Sequence, residues 1–141
     1  MEYIKVMVAG ETDGILWDAS TEHNIQKDHP AYVLLNEQLD LLKWVEDYRG
    51  LFRDWLYNDD ESIYEINNPI NMIMIDSLLV VNNLVKDYNI FYWFDVDRDL
   101  NPDFVWNNCP LSKAPLIALP KSFHSNNRKI SPKYPLIFPD A

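Results

Sequence analysis

The segment FDVDRDLNPDF, residues 94–104, carries four aspartates whose type and spacing could do chemistry. Asp95, Asp97 and Asp99 fall at positions 1, 3 and 5 of a calcium loop, and Asp103 follows shortly after. An EF-hand loop also needs a glycine at its sixth position and a bidentate glutamate at its twelfth. Those places hold Leu100 and Trp106, and Pro102 interrupts the run, so the calcium reading fails where its geometry is decided. If a strand continues through Asp97, Asp95 and Asp97 share a face opposite Val96, and two carboxylates aimed together call for a cation. The readings left open are a solvated strand end, a seat for a partner's Lys or Arg, and an enzyme's carboxylate or metal cluster. An enzyme needs an acid and a base with separated pKa values in one pocket, and nothing singles out one pair among 22 acids.

Other reactive side chains are sparse. His23 and His29 are too far apart for a HExxH helix pair, and His124 stands alone near the tail. Cys109 lies between Asn108 and Pro110 with no activating base beside it, and a single cysteine excludes an internal disulfide. Three glycines leave no room for a phosphate loop, a dinucleotide fingerprint or a GxSxG elbow. Among five tryptophans, Trp44, Trp55 and Trp93 fall in apolar patterns and read as core. Trp17 and Trp106 have acidic or polar neighbours and are candidate interface anchors, since aromatics dominate binding hot spots, although each taken singly also reads as core.

The elements that must position these residues fit one domain of 141 residues, 48% of them hydrophobic. EYIKVMVA, residues 2–9, alternates as a strand does, and GETDG follows as a turn. A loop is expected up to Pro30. A first helix is expected from an N-cap at Asn36, with Leu41, Val45, Tyr48, Phe52 and Trp55 on one apolar face and a break or kink at Gly50. YNDDESIYEINN, residues 57–68, reads as an acidic connector carrying Asp59, Asp60, Glu61 and Glu65. Asn68-Pro69 opens a second helix that runs to about Asp87 and is apolar on most sides, hence buried. IFYWF then reads as a central strand, parallel to the first. Seven of the nine prolines lie beyond Asn101, which predicts an extended tail that adds short edge strands, with FHSNNRK, residues 123–129, as a loop. The expected fold is a single α+β domain: a small sheet with two main helices packed on it in a β-α-α-β core over 1–100, and a proline-rich extended C-terminal tail over 101–141.

Charge bounds the partners. The formal net charge is −10, and the first 103 residues hold 21 of the 22 acids but only 7 of the 12 Lys and Arg. Nucleic acid and anionic membranes select basic surfaces, so neither is expected as a partner. The N-terminus has an acid at position 2 and only a short apolar run, and INMIMIDSLLVV is broken by Asn71 and Asp76. A cytoplasmic protein is the expectation.

IKVMV, LWD at 16–18, LLNEQLDLLKWVEDY at 34–48 and LLVVNNLVKDYNIFYWF at 78–94 together resemble a group of small acidic bacterial proteins of the immunity type. That group shares a strand, a Leu-Trp loop, a Leu-rich helix with a Trp, and a helix running into a Tyr-rich strand. The resemblance covers residues 3–94; the turn before Leu16-Trp17 is longer here, and the tail lies outside it. It implies a non-enzymatic protein that binds and neutralises a cognate toxin, a basic domain such as a nuclease, through an acidic surface. On that reading Asp95, Asp97, Asp99, Asp103, Asp59, Asp60, Glu61, Glu65, Trp17 and Trp106 meet the partner, with no catalytic residue, metal or cofactor. A phage-type DNA-mimic inhibitor shares these electrostatics and differs in its target.

Overall fold

The structure, a computed structural model, describes residues 2–8, 14–119 and 128–139. Strands β1 (Glu2–Val6), β2 (Leu16–Asp18), β3 (Tyr88–Trp93), β4 (Ile117–Ala118), β5 (Arg128–Ile130) and β6 (Leu136–Pro139) form one mixed sheet in the order β2-β1-β3-β6-β5-β4. Helices α1 (Pro30–Gln38), α2 (Leu41–Asn58) and α3 (Pro69–Leu84) connect β2 to β3. The fold is a single α+β domain, as its sequence pattern implies.

β1 and β3 run parallel and in register from Glu2 opposite Tyr88 to Val6 opposite Tyr92. Side chains alternate along them. Ile4, Val6, Ile90, Tyr92 and Phe94 join the large core with Leu35, Trp44, Leu78 and Val81 of the helices. Phe91 joins a smaller core with Ala19, Leu119, Ile130 and Ile137, against which Tyr3 and Trp93 pack. β3 lies between β1 and β6 and packs one face into each core, which explains its run without polar alternation.

Three expectations need correction. The Leu-rich region is two helices, not one. α1 begins at Pro30, in the stretch expected as loop, because His29 Nδ1 accepts the Ala31 N–H at 3.0 Å and caps it. It stops at extended Leu39, and Asp40 caps α2 by accepting the Lys43 N–H. Asn36 is therefore inside α1, and its Oδ1 accepts the Leu41 N–H across the break. Second, α2 runs through Gly50 without interruption. A Cβ at Gly50 would have nothing within 4 Å, so no neighbour demands glycine there. Gly50→Ala should raise stability by about 0.5–1 kcal/mol through helix propensity, read as a higher urea midpoint at unchanged slope. Third, the tail is more than an edge. It adds β4 and β5, but β6 enters the sheet's interior beside β3, with Leu136, Ile137 and Phe138 wholly buried. In the expected loop 123–129, residues 123–127 lie outside the described residues, while Arg128 and Lys129 belong to β5.

α3 begins as read, with the Asn68 side chain accepting the Asn71 N–H at 2.9 Å and proline in the first turn, and it ends at Leu84. Among the described residues no helix is long and apolar enough to cross a membrane.

Candidate functional site

A cleft of about 790 Å³ opens at the carboxyl ends of β1 and β3, walled by the second half of α2. The acidic connector and the aspartate segment, some thirty to forty residues apart in sequence, meet there: Tyr57, Ile63 and Tyr64 come from one, and Asp95, Asp97 and Asp99 from the other. Eight of its nineteen lining residues are aromatic, far above the chain's 13%. Phe52 and Trp55 lie 5.6 Å apart between ring centroids, and Tyr64 meets Trp55 edge-to-face, also at 5.6 Å. Arg49, Arg53 and Arg98 complete the lining. Tyr, Trp and Arg are the side chains that carry most binding energy at protein interfaces.

The connector is folded, not irregular. α2 ends at Asn58, Asp59 caps it in the left-handed region at φ 54°, and Glu61–Tyr64 forms a 3-10 turn. Asp60 Oδ1 caps that turn by accepting the Ser62 N–H at 2.9 Å. The turn is tied to α3 through Asn71, which is fully buried. Its Nδ2 donates to the Glu65 carbonyl at 2.8 Å, and its Oδ1 accepts the Tyr92 hydroxyl at 2.6 Å. Asp59, Asp60, Glu61 and Glu65 keep their side chains exposed, with no ion pair among the described residues.

The four aspartates divide into two pairs. β3 ends at Trp93, so Asp95 and Asp97 are not on one strand face, contrary to expectation. Asp95 is held by a two-point ion pair with Arg98, both contacts at 2.9 Å, and by the Trp106 indole N–H at 3.0 Å. Asp97 is only 6% exposed; it accepts the Trp55 indole N–H at 3.1 Å and the Asp99 N–H at 3.0 Å. Asp99 and Asp103 are exposed and carry the segment's free negative charge. The structural pair should therefore behave unlike the exposed pair. Asp95→Asn should lose about 1.5–3 kcal/mol of stability, the worth of hydrogen bonds to a charged group. Asp99→Asn with Asp103→Asn should stay within about 0.5 kcal/mol of the parent by chemical denaturation.

Burial first, and then the negative charge of Asp97 among its neighbours, pushes the Tyr64 hydroxyl up to about 12. The cleft is negative around Tyr64. Among the described residues, no group of three or more His, Cys, Asp or Glu side chains is placed to hold a metal ion.

The remaining candidates lie elsewhere. Trp106 is in the core at 6% exposure, 4.6 Å from the Phe138 ring, where it supports Asp95 and offers no surface to a partner. Trp17 is half-buried; its indole N–H donates to the Met7 carbonyl at 2.9 Å, and a Cβ on Gly14 would meet its ring at 2.6 Å. His23 is exposed in the turn after β2, His29 is spent on the α1 cap, and Cys109 is fully buried. His124 lies outside the described residues.

Sequence reasoning passed over Tyr57 and Tyr64, placed Phe52 on the apolar helix face and took Trp55 for core. One signal was present: the α2 apolar face is longer than the core it covers. Leu41, Trp44 and Val45 are buried, whereas Phe52, Leu56 and Tyr57 remain exposed. Comparison with family models, curated proteins and solved structures finds no match, so the functional reading rests on the site itself.

Proposed function

We propose that this chain is a non-enzymatic binding protein of the immunity type, which occludes a basic protein domain with its cleft and carboxylate rim. One observation carries the reading: two acidic segments distant in sequence converge on a single aromatic cleft. Aromatic rings supply contact area at low entropy cost, and the exposed carboxylates of Asp59, Asp60, Glu61, Asp99 and Asp103 supply a field that a basic surface answers. The carboxylates would stand where a nuclease expects phosphates, and they exclude acidic competitors through repulsion.

A growth assay tests the reading. The product of the adjacent gene is expressed with and without this chain. Growth should stop when the neighbour is expressed alone and resume with co-expression. A neighbour that is harmless alone, or one whose toxicity this chain leaves unchanged, overturns the proposal.

A further inference from the structure

We propose that the cleft seats an arginine side chain of the partner, laid against the Trp55–Tyr64 ring pair with its guanidinium facing Asp99. This rests on the binding reading above and names the chemistry of the occupant. Both rings line the cleft and are half-buried, so part of their surface is open to an occupant. Ring faces are electron-rich and attract cations, and a guanidinium adds planar stacking that an ammonium lacks. Asp99 is the exposed carboxylate of the lining, whereas Asp95 is taken by Arg98 and Asp97 by Trp55. The negative field around Tyr64, from Asp97, Glu61 and Asp99, favours positive charge at the same place.

Among the described residues, Arg98, Lys5 and Arg128 are held by other partners. Arg98 donates to both Asp95 oxygens and to the Phe104 carbonyl at 2.6 Å. Lys5 and Arg128 lie over Trp93 and pair with Glu22. Arg49 and Arg53 line the α2 wall of the same cleft.

The test uses a short Gly/Arg peptide and its counterpart with citrulline, which keeps the planar group and loses the charge. Each is titrated into the full chain while the tryptophan indole N–H resonances are followed by NMR. The arginine peptide should shift the Trp55 indole saturably and leave that of buried Trp44 unmoved. The citrulline peptide should bind about tenfold more weakly, the worth of one partly desolvated cation–π contact with its charge pair. Asp99→Asn and Tyr64→Leu should each weaken the arginine peptide several-fold, with an unshifted Trp44 resonance reporting an intact fold. Equal binding of the two peptides, parent-like binding by both variants, or no saturable binding would each overturn the arginine seat. The growth assay uses no peptide, so it judges the binding reading separately.

Discussion

Glu22→Gln is expected to cost about 3 kcal/mol of folding stability, because it strands buried Lys5 and half-buried Arg128. Lys5 is 1% exposed on β1, and its ammonium pairs with Glu22. Arg128 of β5 reaches the same carboxylate at 2.8 Å. Both cations also lie over the Trp93 ring, at 4.6 and 5.0 Å from its centroid. One carboxylate thus ties β1, the turn after β2 and the C-terminal strands across the second face of the sheet. Burial already lowers the Lys5 pKa against the pull of Glu22, and removing Glu22 takes away that charge partner. Lys5→Met is a different case. It leaves the Glu22–Arg128 pair intact and sets an apolar chain against Trp93, so its effect should stay within about 1 kcal/mol in either direction. Urea unfolding of both variants checks the asymmetry. The acid side offers a second check. Burial alone would raise the Glu22 carboxyl, but Lys5 and Arg128 hold it below the ordinary carboxylate value of 4.5. A carboxyl depressed on folding contributes stability that is fully present above that value and lost as pH falls through the depressed one. The gap between parent and Glu22→Gln should therefore narrow as pH is lowered below about 4.5.

Asn71→Leu should cost a similar amount, about 3 kcal/mol, through unsatisfied polar groups. The Tyr92 hydroxyl would lose its acceptor inside the core, and the Glu65 carbonyl would lose its side-chain donor. Burial raises the Tyr92 pKa well above its ordinary value, so the hydroxyl cannot ionise as an escape. Tyr92→Phe in the Asn71→Leu background should recover part of the loss, because it removes the orphaned hydroxyl. Faster hydrogen exchange at the amide of Glu65, which closes the 3-10 turn on the Ser62 carbonyl, would report that the cleft wall has loosened.

Much of the frame is legible because its causes are local. Asn68-Pro69 starts α3, the alternation of EYIKV makes β1, and the apolar run after Tyr88 marks a strand buried on both faces. The break at Leu39-Asp40 is harder to read, since Asn36 and Asp40 are both plausible caps four residues apart and only packing chooses between them. Gly50 is an example of punctuation overruled, because the helix gains enough from its buried face to carry one poor residue. The site divides in the same way. Both acidic segments are visible as composition, and their convergence is not, because it depends on the path of α3 between them. Asp95 and Asp97 lose their role as free charges to Arg98, Trp106 and Trp55, the last of these 42 residues away from Asp97. The Lys5–Glu22–Arg128 cluster spans 106 residues between Glu22 and Arg128, and no spacing rule reaches that far.

On the proposed function, the exposed carboxylates near the aromatic cleft draw in a basic protein. The most direct measurement is the association rate of this chain with the purified product of the adjacent gene, taken across ionic strength. The parent should associate fast at low salt and slow steeply as salt rises, since screening sets in over about 8 Å at physiological ionic strength. A variant carrying Glu61→Gln, Asp99→Asn and Asp103→Asn removes three exposed charges and leaves Asp95 and Asp97 in place. It should associate about tenfold more slowly at low salt, with a flatter salt dependence and an unchanged urea midpoint. An association rate for this variant equal to the parent's at every salt concentration would contradict the account.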